Sequence, residues 1–233
     1  REQYQLNRDQ FTTEEEFSGP KTFKAAGEWL EENHDSDNFL LWVEAFDPHE
    51  PFDTPDQYLE IYEEEYDGPI YEWPGYEEID EKADEIEHLR NKYAALLTIT
   101  DKWFGKLMDV MDKHNIWEDT LIILTTDHGH MLGEHGFTGK NFMHVYNELA
   151  HIPLMVHIPG SRNAGERINA LTQNIDLMPT VLDYYDIDIP ETVRGKSWRE
   201  LLEGNEERIR EAVLYGYYGI TTNISDGRYT YFR

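Results

Sequence analysis

The chain has 233 residues, enough for one substantial domain with its own core, and an aromatic content of 13% excludes a disordered chain. Its 48 acids against 20 bases give a net charge of −28, a surface that repels nucleic acid and anionic membranes. It has no cysteine, which excludes disulfides, thiolate metal sites and a cysteine nucleophile within the chain.

The N-terminal REQYQLNRDQ has no apolar h-region and no initiator Met, so the reading predicts a processed or truncated start and no signal peptide. No apolar run is long enough to span a membrane. Residues 21–33 place Phe23, Ala26, Trp29 and Leu30 at helical spacing and predict a helix. NFLLWVEAF (38–46) is a continuous apolar run closed by a Pro-rich turn, and predicts a buried strand. DPHEPFDTPD (47–56) holds three prolines and must be loop. The acidic, Tyr-rich stretch from Tyr58 to Asp84 reads as a surface excursion whose aromatics pin it to the body; stacking on a sugar is the alternative.

The longest helical pattern covers 88–116, with Leu89, Tyr93, Leu96, Leu97, Thr100, Phe104, Leu107, Met108 and Met111 on one stripe. TLIILTTD (120–127) and IPLMVHIPG (152–160) predict buried strands. NIDLMPTVLDYYDI (174–187) predicts a helix with Asp176 near its start, and Trp198–Leu202 a short one. Residues 211–233 predict a hairpin turning at Asp226-Gly227. This alternation predicts an α/β fold, a mostly parallel sheet flanked by helices.

In such folds, functional groups collect where loops leave the carboxyl ends of strands. TTDHGHMLGEHGFTGK (125–140) stands at such a point. Asp127 and His128 offer a carboxylate and an imidazole, both sound metal ligands, and Gly129 lets backbone come close. Lys140 offers a cation to an anionic group. His49, between two prolines, is a stiffly held imidazole able to donate to an anion or protonate a leaving group. Alone, Asp-His-Gly reads more readily as a turn with a capping Asp. His130 reads as loop packing, and His144 and His151 as partly exposed scaffold.

The joint pattern is stronger than its parts. FLLWVEAFDPHEPFDTPDQY, YAALLTITDKWFGKLMDVMDKHNIWEDTLIILTTDHGHMLGEHGFTGK, NELAHIPLMVHIPG, and NIDLMPTVLDYYDIDIPETVRGKSWRELLEG resemble, in order, segments of the sulfatase family of the alkaline phosphatase superfamily. The resemblance implies an alkaline-phosphatase-like core spanning 1–205, incomplete, and the beginning of a small antiparallel C-terminal subdomain in 206–233. It implies that Asp127 and His128 ligate a divalent metal ion, calcium first, with Mn, Mg or Zn as alternatives. Lys140 and His49 would act as catalytic, substrate-binding groups on the ester oxygens, and His135 would shape the loop.

The departures are specific. The family's Asp-Asp pair and its Cys/Ser-x-Pro-x-Arg motif, whose Cys or Ser becomes formylglycine, do not occur here. The chain resembles the C-terminal part of a sulfatase, and formylglycine is expected in the absent N-terminal segment. By itself the chain is expected to be inactive and, with exposed sheet edges, prone to homo-oligomerise. The reading is hydrolysis of a small-molecule or carbohydrate sulfate ester by the parent protein, with no nucleic acid partner. Phosphonate monoester or phosphodiester hydrolysis, and a non-catalytic binding module, are the alternatives.

Overall fold

The computed structural model describes residues 2–141, 143–161 and 163–233, the side chain of Glu2 excepted. Two compact units divide the chain: residues 1–119 with 132–139, and residues 120–131 with 140–233.

The first unit is built on helices. It opens with α1 (Glu2–Arg8), followed by α2 (Ser18–Asn33), the short α3 (Asp56–Leu59) and α4 (Ala83–Lys113). α4 forms because its apolar residues keep one stripe for eight turns. Ile86, Leu89, Leu96, Ile99, Trp103, Leu107 and Met111 are all buried, at intervals of three, four or seven residues. α2 packs on this stripe. Phe23 meets Phe104 edge-on at 5.9 Å, and Ala26, Gly27 and Leu30 are buried along the same helix. α4 ends where Asn115 turns left-handed at φ 54°. Lys113 and His114 then both reach Glu31 of α2 at 2.8 Å.

The Tyr-rich excursion is pinned to this body. Tyr58 bonds Glu14 at 2.5 Å, Tyr62 bonds Thr98 at 2.7 Å and Tyr71 bonds Glu85 at 3.1 Å. Tyr66 stacks flat on His88 at 3.8 Å, while His88 pairs with Glu63 at 2.7 Å. The pinning role expected of these aromatics is what the contacts show, and most of their π-faces or hydroxyls are engaged within the chain.

The 38–46 segment differs from expectation. It forms no strand, and Leu40 and Trp42 are 82% and 76% exposed. Its exposure alternates residue by residue, as extended chain does. A continuous apolar run is buried on both faces only inside a covered sheet, and among the described residues no strand pairs with this one.

The remaining elements are β1 (Ile122–Thr125), β2 (Met131–Leu132), β3 (Thr138–Gly139), α5 (Asn147–Ala150), β4 (Leu154–His157), α6 (Leu177–Tyr184), α7 (Arg199–Leu202), β5 (Val213–Tyr215), β6 (Asn223–Ser225) and β7 (Thr230–Phe232). β2 and β3 form a two-stranded ladder. In the second unit β1 pairs with β4, Ile123 opposite Val156, and the pair is antiparallel. β5, β6 and β7 form an antiparallel meander whose second turn is closed by Asp226, with Gly227 at φ 86°. The fold is α/β, but no parallel pairing is described among these strands. β1 and β4 are half-buried rather than buried, as a two-stranded sheet must be.

The firmest part of the second unit surrounds Asp176, whose side chain is 0% exposed. Both guanidinium nitrogens of Arg210 donate to it, Nη2 at 2.6 Å and Nη1 closer. The backbone N–H groups of Gln173 and Lys196 donate at 2.8 Å each, and Trp198 Nε1 at 3.3 Å. Thr180 links the same parts, donating to the Asp176 carbonyl at 2.7 Å and accepting the Trp198 N–H at 2.9 Å. Gly195 is needed because a Cβ there would run into the Ile175 carbonyl. Burial alone would raise the Asp176 pKa. The Arg210 ion pair and the backbone donors outweigh it and hold the carboxyl below its ordinary 3.8.

Candidate functional site

Asp127 and His128 lie just past the carboxyl end of β1, and the structure brings their side chains together. Asp127 Oδ1 accepts the His128 N–H at 2.8 Å and the Thr126 hydroxyl at 3.3 Å. Its other oxygen stands 3.5 Å from His128 Nε2. His128 Nδ1 lies 2.9 Å from the Gly129 carbonyl. A carbonyl only accepts, so Nδ1 carries the proton, and the lone pair of a neutral ring is on Nε2. A carboxylate oxygen and an imidazole lone pair then face each other. That arrangement is repulsive unless a proton or a cation lies between them.

The donor pair therefore fits a divalent ion. Two donors bound at 2.0–2.5 Å to one ion sit roughly 3–3.5 Å apart, close to the gap observed. Asp127 is 81% exposed, open to an incoming ligand. Burial would raise its pKa, but electrostatic attraction from the adjacent His128 and the backbone N–H bond outweigh it and lower the value. Among the described residues no cluster of three or more His, Cys, Asp or Glu could hold a metal.

The loop is set from below by the chain itself. Gly129 N–H donates to the Leu149 carbonyl at 3.0 Å, and a Cβ at 129 would collide with the Glu148 carbonyl. The close approach expected of Gly129 is made to α5. Asn174 donates to the carbonyls of Thr126 at 3.1 Å and Asp127 at 3.3 Å, and so ties the loop to the turn that carries Asp176. Lys140 is anchored through its backbone, since the Tyr217 hydroxyl donates to its carbonyl.

His49 belongs to the first unit. Its N–H donates to the Phe46 carbonyl at 3.0 Å, and its ring lies against Phe46 at 4.3 Å. Its Nδ1 is 2.7 Å from the Glu50 carbonyl and 3.3 Å from Glu50 Oε2. The loop is held at both ends: Asp47 accepts the Gly19 N–H at 2.6 Å, and Asp53 takes Arg8 at 2.7 Å and Tyr4 at 2.9 Å. Burial raises the Asp47 pKa, with Asp53 adding to it.

His135 has φ 54°, between Gly133 at 97° and Gly136 at 81°, in a tight 3-10 turn over 134–136. Sequence reasoning passed over Arg210 and Glu50. Neither has a motif signal: Arg210 stands 34 residues from its partner Asp176, and Glu50 is one acid in a chain crowded with them.

The family model described as Sulfatase matches residues 1–187. The chain belongs to the sulfatase family, within the alkaline phosphatase superfamily. It is 34% identical over 136 residues to N-acetylglucosamine-6-O-sulfatase of Bacteroides thetaiotaomicron, covering 57% of this chain and 24% of that one. Among solved structures it resembles a protein in complex with its substrate D-glucosamine-2-N,6-O-disulfate, at 28% identity and a TM-score of 0.58. That match covers 64% of this chain and 32% of the other. The phosphonate monoester hydrolase of Agrobacterium radiobacter shares the fold at a TM-score of 0.75 and 20% identity, over 95% of this chain and 53% of that one. The chain thus spans between a quarter and about half of the length of these relatives.

Proposed function

We propose that the protein to which this chain belongs hydrolyses a sulfate ester, with an amino-sugar sulfate as the substrate class. The observation that carries the reading is the Asp127–His128 donor pair beyond β1 in a chain of the sulfatase family. The relatives' names and the bound sugar disulfate support the substrate class.

Asp127 Oδ2 and His128 Nε2 would hold the divalent ion, calcium first and Mn, Mg or Zn as alternatives. When bound, the ion supplies Lewis-acid polarisation of a sulfate oxygen. A formylglycine in a segment outside this chain would supply the nucleophilic oxygen. Lys140 places an ammonium charge on the sulfate oxygens, and His49 donates to the ester oxygen that leaves. The parent sheet is mostly parallel, with 1–205 in its core and 206–233 opening a C-terminal subdomain. The 233-residue chain by itself is inactive, because two ligands hold calcium poorly and the chain has no nucleophile motif. Its unpaired strand edges favour self-association.

The test is hydrolysis of aryl sulfates, glucosamine 6-sulfate and phosphonate monoesters by the full-length protein. The expected result is faster turnover of sulfate esters, lost on chelation and strongly reduced in Lys140→Ala. Phosphonate turnover exceeding sulfate turnover would move the protein to the other branch of the superfamily. Aryl sulfate turnover by the 233-residue chain alone would overturn its inactivity.

A further inference from the structure

The buried carboxylate beside His49 is the strongest arrangement in the molecule that the reading above leaves unused. Glu50 is only 5% exposed, in a chain whose other acids are mostly at the surface. The Tyr76 hydroxyl donates to its Oε1, and its Oε2 faces His49 Nδ1 at 3.3 Å. Burial, and then the bond to Glu50, raise the Tyr76 pKa, so the phenol keeps its proton and remains a donor.

Tyr76 is itself held firmly. Glu77 and Thr138 exchange backbone bonds at 3.2 and 3.0 Å, Ile79 N–H donates to Gly136 at 2.9 Å, and the Thr138 hydroxyl donates to Gly75 at 2.8 Å. The Tyr76 ring lies over Gly139, at φ 93°, where any Cβ would strike it. Side chains from two segments thus stand in sequence: the Tyr76 hydroxyl, the Glu50 carboxylate and the imidazole of its neighbour His49.

We propose that Glu50 and Tyr76 are positioning residues for His49. Both groups near Nδ1, the Glu50 carbonyl and carboxylate, are acceptors, so Nδ1 carries a proton and Nε2 becomes the nitrogen that meets a ligand. Tyr76 fixes the carboxylate rotamer, and Phe46 fixes the ring plane. Outer partners of this type orient a working imidazole and set its tautomer. The inference rests on the assignment of His49 to the ester oxygens, and it adds the two residues that make that role directional. Of the other acids near the loop, Asp53 is bonded to Arg8 and Tyr4, and Asp47, bonded to Gly19, also acts electrostatically on His49; Glu50 is the one whose carboxylate oxygen stands 3.3 Å from Nδ1.

The experiment uses full-length protein with 15N-labelled histidine, as wild type, Glu50→Gln and Tyr76→Phe, with His49 assigned by the signal lost in His49→Gln. The wild type is expected to show His49 as the Nδ1-protonated tautomer, and both variants a shift toward the other. For ester turnover, kcat is expected to fall about 10- to 100-fold with KM changed less than about threefold. Tyr76→Phe removes one hydroxyl and carries the test if Glu50→Gln does not fold. Unchanged His49 signals in folded variants overturn the proposal, whatever happens to the melting temperature. If the wild type cleaves no sulfate or phosphonate ester, the activity reading falls, and the tautomer comparison still decides this one.

Discussion

Asp127 and Asp176 are both acids in the second unit, both are held below the ordinary carboxylate pKa, and Asn174 bonds the loop of one next to the turn of the other. Asp176 is sealed and receives side-chain and backbone donors from Gln173, Lys196, Trp198 and Arg210. The Asp127 side chain is 81% exposed and, among the described residues, is bonded by Thr126 and His128, with one oxygen turned toward an imidazole nitrogen. The protein satisfies the first carboxylate completely and leaves the second exposed, facing an imidazole nitrogen. The first therefore holds the fold together, and the second is suited to holding a ligand. A sealed, fully bonded acid has nothing left to offer to solvent or substrate.

The largest test of that contrast is Asp176→Asn in the full-length protein. It strands the Arg210 guanidinium, itself only 8% exposed, and is expected to cost about 3–5 kcal/mol in denaturant unfolding. Asp127→Asn should change stability by less than about 0.5 kcal/mol while weakening metal binding in a calorimetric titration. Equal losses of stability would erase the distinction.

Gly195→Ala should come next, at about 1–3 kcal/mol, because the new Cβ meets the Ile175 carbonyl and must push the 195–197 segment off the Asp176 turn. Thr180→Val keeps the shape but leaves the buried Trp198 N–H without its acceptor, and should cost about 1–3 kcal/mol.

The pH dependence sharpens the same point. The folded-state pKa of Asp176 is depressed, so its contribution is complete above the unfolded value near 3.8 and is lost as pH falls through the lower folded value. Denaturant midpoints measured from about pH 5 down to about pH 2 should fall in the wild type. Asp176→Asn should lose that part of the slope.

Much of this was legible in the residues. The stripe on α4, the apolar run of β1 and the Asp226-Gly227 turn follow local rules of spacing and backbone preference, which nearby residues satisfy alone. Asp127 and His128 stood out because two ligand types follow a strand. The 38–46 run misled for the converse reason: its composition states that it wants cover on both faces, but not which chain provides it. Glu50 and Arg210 could not be singled out, since each acquires its meaning from a partner far along the chain.

The sequence by itself determined the helical stripes, the turn positions, the acidic surface and the membership in the sulfatase family, all of which reside in residue type and short spacing. Only the tertiary structure decided that β1 and β4 run antiparallel, that Asp176 is sealed by Arg210, and that His49 is backed by Glu50 and Tyr76. Burial and hydrogen bonding between distant segments depend on which surfaces meet, and no local pattern encodes that meeting.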